Sequence, residues 1–470
     1  LRVDCRVLLA QIKIFRRIPC LHPSYDKKKP HSHGRLPAQQ TIQTTLEDDM
    51  AIRVAYWAAA LWSAALFSTS AMSADGSVQH VDAKACKQCH EEIYAQWAGS
   101  MHANSSALKD PIHGAFYRNV IGDPTQEDVK TKKGTYPVCL KCHAPVAALE
   151  NKTKLDAKPA YAAGIGCTTC HSFSAFKGTD AADGKPLYGV DAYEVDSKSL
   201  YGPSGISYTT DRTPEGATWP TPVHHPVPLQ GNKADLFKSN DACMGCHEKR
   251  SNFHGTPLCR TGDEYRATDN FVACQACHMA VVTVPKLKDG QALPGQFVTI
   301  PDHSMAGGHD DKMITRGIAM TMQTRRNGDK LNATLVVRNR LPHAYPTGAP
   351  FRNFFIRVAT YDESGKMLWK NYQVHPIKDD PKAAFWLTLG DKDGKPTVPP
   401  KATQILADTR LKPNEVRTLD YEIPLAEGTR IVRAEALYDL LLPPIKANMK
   451  GKLPDELLRP KLAASAEVRL

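Results

Sequence analysis

The chain has 470 residues and a formal charge of +11, with 42% hydrophobic and 23% charged side chains, a composition from which a folded protein can be built. Residues 1–74 hold ten Lys and Arg against five Asp and Glu, so the remainder carries only +6, and net charge gives no argument for nucleic-acid binding. The 13 Cys and 18 His are the unusual part, and ten of the cysteines fall into one repeated pattern.

Residues 1–49 do not read as a signal. Glu47, Asp48 and Asp49 stand just before an apolar run, where an export signal wants positive charge, and the chain opens on Leu1. This stretch, with Cys5 and Cys20, reads as an extension from a misplaced start; a genuine basic extension is the alternative. From Met50 the order changes. Arg53, the apolar run Val54 to Phe67 and the small residues Ser68, Thr69, Ser70 and Ala71 predict a signal peptide over 50–74, cut near Ser73 or Ala74. The run is short for a membrane span and none follows residue 74, so the mature chain is expected to be periplasmic or secreted, without a transmembrane segment. An uncleaved anchor is the lesser option.

Five cysteine pairs then follow, each two residues apart and each closed by histidine: Cys86 and Cys89 before His90, Cys139 and Cys142 before His143, Cys167 and Cys170 before His171, Cys243 and Cys246 before His247, and Cys274 and Cys277 before His278. Random placement of these residues would give roughly 0.01 such motifs. The spacing is that of c-type haem attachment, in which two thioethers bind the vinyl groups on one porphyrin edge and the next residue gives its imidazole to the iron. Zinc has no need of a histidine directly after every pair, and five pairs do not divide into two-pair sites. Disulfides across so short a loop would leave the histidines unexplained. Five covalent haem c groups are therefore expected, and their propionates bring the loaded protein near neutrality.

Between the motifs the chain is rich in Gly, Pro, Ser and Asp, as in Lys177 to Gly189, Tyr201 to Pro222 and Lys286 to Gly295. Without cofactors such a region would be disordered. The haems are expected to replace the missing core, with short helices beginning at the motifs; Ile93, Tyr94 and Trp97 share one face of a helix predicted over Glu91 to Met101. A haem-packed domain of short helices and loops is thus predicted over 75–312.

Each motif fixes one axial ligand, and the sixth position decides between a sealed carrier and an iron open to small molecules. Ten further histidines follow residue 74, enough to close five haems. The candidates are His102, after Trp97 and Ser100-Met101; His303, in Asp302-His303-Ser304-Met305; one of His224 and His225, in a proline-rich loop; His254, seven residues after His247; and His343, in a Gly/Pro-containing loop. His309, His113, His80 and His375 rank below them. Met101, Met244, Met279 and Met305 are the alternative ligand type, with Met244 better placed for packing. Cys259 stands outside the motifs and reads as a buried thiol, with a place near a haem edge or substrate pocket as the sharper reading.

After about Asp311 the pattern becomes that of strands. Ile318 to Thr324 and Leu331 to Arg338 flank Asn327-Gly328-Asp329, a hairpin signal. Phe354 to Tyr361, Met367 to Val374, Thr403 to Asp408, Arg417 to Ile423 and Arg430 to Leu437 follow, separated by turns. About seven short strands predict an all-β sandwich of the immunoglobulin-like kind over 313–442. The tail 443–470 is basic and proline-broken, and its pattern assigns no element.

The segments Cys86-Lys87-Gln88-Cys89-His90, Trp97, Ser100-Met101-His102-Ala103 and Asp302-His303-Ser304-Met305-Ala306-Gly307-Gly308, over roughly residues 80–312, resemble the multihaem cytochromes of the cytochrome c-554 family. The resemblance implies electron transfer through bound haems, and it implies a distal-ligand role for His102. His343-Ala344-Tyr345-Pro346-Thr347-Gly348 and Arg352 look like the start of the β-domain that some larger multihaem cytochromes carry. The fifth motif and this domain depart from the family's tetrahaem pattern. The favoured expectation is an electron carrier between redox partner proteins, periplasmic or membrane-bound and quinol-linked. The alternatives are an oxidoreductase with one open haem acting on a small nitrogen or sulfur compound, and a filament or docking subunit. All five motifs end in His, not in the Lys that marks many nitrite-reducing haems, which favours the carrier.

Overall fold

The computed structural model describes residues 76–204, 207 and 227–470. The extension, the signal peptide, His224 and His225 lie outside the described residues. Those described belong to one compact unit, residues 70–470.

The motif-bearing part is built of short helices joined by loops. Its elements include Ala83–Lys87, Glu91–Ala98, Pro111–Val120, Leu140–His143, Cys167–His171, Asp241–His247, Thr261–Arg266 and Cys274–His278. Glu91–Ala98 realises the predicted helix and ends one turn earlier, at Gly99. The side-chain core here is thin: around Tyr117, Leu140, Leu155 and Tyr161, several of the buried residues are alanines. Alanine buries little apolar area, so these positions add little hydrophobic stabilisation.

The C-terminal part is sheet-rich. One antiparallel sheet has the order Val416–Pro424, Lys330–Asn339, Ile318–Asn327; the other runs Met367–Lys370, Asn353–Tyr361, Ile431–Asp439, Lys461–Arg469. Alternation sets the inner faces: Leu331, Ala333, Leu335 and Val337 on one sheet and Val432, Ala434, Ala436 and Tyr438 on the other are buried in one cluster with Ile356 and Val358. The predicted hairpin pairs Asn327 with Lys330. Gly328, at φ 63°, takes the first central position, where a type II′ turn calls for glycine.

Two elements depart from the sequence expectations. Val281–Lys288 and Gln291–Pro301 pair in a long hairpin within the stretch expected to be a Gly-containing loop. Its signal is Asp289-Gly290, both at positive φ (53° and 80°) as a type I′ turn requires. The unassigned tail forms helix Pro443–Met449 and strand Lys461–Arg469, which pairs with Ile431–Asp439. Its Ala463, Ala464 and Ala466 are weak strand formers, which hides it in the sequence.

Helix Pro111–Val120 ties the two parts together. Its N-terminus is capped by Asp110, whose carboxylate accepts from the Ile112 and His113 amides. Ile112 and Phe116 face the sheets, with Phe116 stacked on Phe351 at 5.0 Å, while Tyr117 joins the helical core.

His375 makes the sheet region acid-sensitive. Its Nδ1 accepts from the Ile377 amide at 3.3 Å, its ring packs 4.6 Å from Phe355, and burial together with Lys446 pushes its pKa down from 6.5 to about 4. Between these values the unfolded chain binds the extra proton, so this contribution is full above pH 6.5 and is lost as pH falls toward 4. The expected loss is at most about 3 kcal/mol. Denaturant melts at pH 7 and pH 4 check it: His375→Asn, which keeps a capping acceptor and does not titrate, should lose less stability than the parent on acidification.

Candidate haem centres

Each motif is a single helical turn or its flank. The His90 amide donates to Cys86 O and the His143 amide to Cys139 O, four residues back, while Cys167–His171 and Cys274–His278 are helices in their own right. Residues three and four apart share a helix face, so both sulfurs and the imidazole of a motif point to the same side. None of the ten motif cysteines is tied up in a disulfide.

Three of the motif histidines are oriented alike. Nδ1 of His143 lies 3.0 Å from Ser105 O, that of His171 lies 2.6 Å from Tyr201 O, and that of His278 lies 2.7 Å from Ala306 O. A carbonyl can only accept, so Nδ1 carries the proton and Nε2 keeps the lone pair a metal needs. No pattern in the sequence marks these partners, because they are backbone atoms.

The motifs also touch one another. Cysteines of different motifs lie close enough to influence one another: Cys86 and Cys167, Cys142 and Cys246, and Cys243 and Cys274. These link the first motif to the third, the second to the fourth and the fourth to the fifth. The charge of Cys170 reaches both Cys243 and Cys246, which brings the third motif to the fourth. The five form one connected cluster centred on the fourth.

Three attachment cysteines, Cys89, Cys139 and Cys277, stand outside these contacts. Cys277 is half-buried near the end of helix Cys274–His278, and Cys89 is exposed. In the fifth motif it is Cys274, at the start of the helix, that meets Cys243, so Cys277 lies a turn further from the fourth motif. Cys89 is related in the same way to Cys86, which meets Cys167. The structure thus brings Cys274 to the cluster and leaves Cys277 to it only through their shared helix. Its attachment role rests on the spacing of the motif, since Cys277 keeps the helix face of Cys274 and His278.

The helix of the fourth motif rests on Tyr193. The Tyr193 hydroxyl accepts from the Gly245 amide at 3.0 Å and lies 2.9 Å from the carbonyls of Asp241 and Ala242, and its ring stacks on Phe173 at 3.9 Å. A Cβ at Gly245 would sit 2.2 Å from that ring, so only glycine fits between Met244 and Cys246. Tyr193→Phe leaves the buried Gly245 amide without its acceptor and is expected to cost about 1–3 kcal/mol. Thermal melts of the haem-loaded protein check this.

His102 stands across from His247. Their ring centroids are 6.3 Å apart and the planes stand at 78°. A metal held between two imidazoles at about 2 Å from each nitrogen separates the ring centroids by roughly 6 Å, so the pair has room for an iron. Burial, with neighbouring histidines, pushes the pKa of His102 down to about 4 and that of His247 to about 3, so both stay neutral, the form that ligates. His247 is nevertheless exposed by surface area.

The other candidates are placed as follows. His303 has Nδ1 at 2.8 Å from Pro301 O, and its amide donates to Gln96 of the helix after the first motif. His343 has Nδ1 at 3.0 Å from Ala344 O. His254 is exposed against Phe253. His113, ranked low by sequence, stacks on His143 at 3.9 Å, too close for a metal between them; its buried Nε2 has no hydrogen-bond partner among the described residues. Met244 is buried against Gly262, a packing role. Burial pushes the Cys259 thiol up to about 11, which keeps it protonated and inert. The donor set of paired thiols and oriented neutral imidazoles fits covalent haem.

The family model for cytochrome c554 and c-prime matches residues 85–172, which hold the first three motifs. A crystal structure of a penta-heme cytochrome c552 from Thermochromatium tepidum is 42% identical, with a TM-score of 0.72, over 84% of this chain and 100% of that one. The chain belongs to the cytochrome c554 family of multihaem c-type cytochromes. No curated protein matches it. As a multihaem cytochrome it transfers electrons through haem c and works with redox partners. Among the described residues no helix is long and apolar enough to cross a membrane.

Proposed function

We propose that the chain is an exported, periplasmic pentahaem electron carrier, which receives electrons from one redox protein and passes them to another without substrate chemistry of its own. The closeness of the five motifs, linked sulfur to sulfur within one cluster, carries this reading. Bound haem c supplies one-electron iron chemistry at a potential set by its axial ligands. The chain's residues do the rest. Each cysteine pair, from Cys86 and Cys89 to Cys274 and Cys277, would fix one ring edge, and the closeness of the motifs would place neighbouring edges near one another. The carbonyls of Ser105, Tyr201 and Ala306 hold His143, His171 and His278 in the ligating tautomer. His102 opposite His247 would close one iron against small molecules.

The immunoglobulin-like reading of the β-region is supported by its strand order. With strands lettered along the chain, the sheets match A-B-E and C′-C-F-G, if Lys461–Arg469 is taken as G.

The test is the ferric protein's spin-resonance spectrum, before and after adding nitrite, hydroxylamine or sulfite. Low-spin signals that none of these shifts are expected. A high-spin fraction that binds one of them would replace the carrier reading with the enzymatic one.

A further inference from the structure

The loop that joins Lys330–Asn339 to Asn353–Tyr361 belongs to the β-region, yet it is fastened to the helical region, on helix Thr261–Arg266, whose Gly262 lies against Met244 of the fourth motif. Glu264, on helix Thr261–Arg266, accepts from the Ala344 amide at 3.1 Å and from the Thr347 hydroxyl at 2.6 Å. Its other oxygen accepts from Arg410 at 2.7 Å, and the Thr261 and Thr347 hydroxyls are 2.9 Å apart. From the sheet side, Asn339 Nδ2 donates to His343 O and to Lys412 O, each at 2.8 Å. The backbone on both sides of His343 is therefore fixed.

A clamp of this kind has no evident purpose for a surface histidine. His343 is half-buried, and its Nδ1 faces the Ala344 carbonyl, which leaves Nε2 with the lone pair, as in His143, His171 and His278. We propose that His343 is the sixth ligand of one of the haem irons, so that the β-region completes a metal centre begun by the helical region. This deepens the haem reading above and rests on it.

The experiment uses the full exported protein with its haems. His343→Ala should keep five haems by mass but turn one of the five irons from low-spin to high-spin, and added imidazole should reverse the change. His343→Met, which retains a ligand, stays readable if the alanine variant fails to fold: every iron stays low-spin and one reduction step moves to a more positive potential. Spin state and potentials unchanged in these variants would overturn the ligand role. Failure of the haem reading itself would show earlier, in the mass of the parent protein.

Discussion

Replacing Cys243 and Cys246 together by serine should collapse the helical region while the sheet region stays folded. The fourth motif touches the second and the fifth through its sulfurs and receives the charge of the third, so its loss removes the centre of the cluster. The side chains compensate only in part, because five of the thirteen buried residues of the core near Tyr117 and Tyr161 are alanines. A cofactor that buries several hundred Å² of apolar surface contributes on the order of 10 kcal/mol. That is comparable with the whole stability of a typical domain, about 5–15 kcal/mol. The sheets keep their own cluster, from Leu331 to Val337 on one side and Val432 to Tyr438 on the other. Hydrogen exchange on the exported variant separates the two parts: protection should vanish in the motif helices and persist in the strands. Protection retained in both parts would mean that the haem is dispensable to the fold.

His102→Ala is expected to open one iron and leave the fold standing. His102 faces His247 across 6.3 Å, and no other histidine is seen in that relation to a motif histidine among the described residues. Without it one iron of five becomes five-coordinate, binds carbon monoxide when reduced and gives a high-spin ferric signal. The stability cost is expected to be small, about 1–3 kcal/mol, because a truncated imidazole leaves neighbouring groups in place. Optical titration with carbon monoxide measures the change directly: about one site per molecule in the variant and none gained in the parent.

The motifs can be read without the fold because attachment chemistry fixes their spacing. That spacing does not tell which sulfur of a pair meets a neighbouring motif, so the difference between Cys274 and Cys277 emerges only from the packed helices. The strands are legible for another reason: inner residues such as Leu331, Leu335 and Val337 alternate with outer ones, and that period survives any tertiary context. The hairpin over Val281–Pro301 is announced by Asp289-Gly290, but the Gly and Pro around that pair mask it as loop. Distal ligation is legible only in part. His102 carries a local context near Trp97, but its place opposite His247 depends on contacts 145 positions apart in the chain, which no spacing rule encodes. The clamp at Glu264 is equally hidden, since it joins helix Thr261–Arg266 to a loop some eighty residues later. Tyr193 gives no sign of its role because its partners are backbone atoms of the fourth motif's helix.

The central claim is that haem, bound through ten cysteines, makes these short helices and loops into a folded electron carrier. The mass of the intact protein, purified after export and read beside its visible spectrum, tests it most directly. Five haems above the mass of the amino acids, with c-type absorption, are the predicted result. A colourless, folded protein whose mass is that of its residues alone would contradict the account.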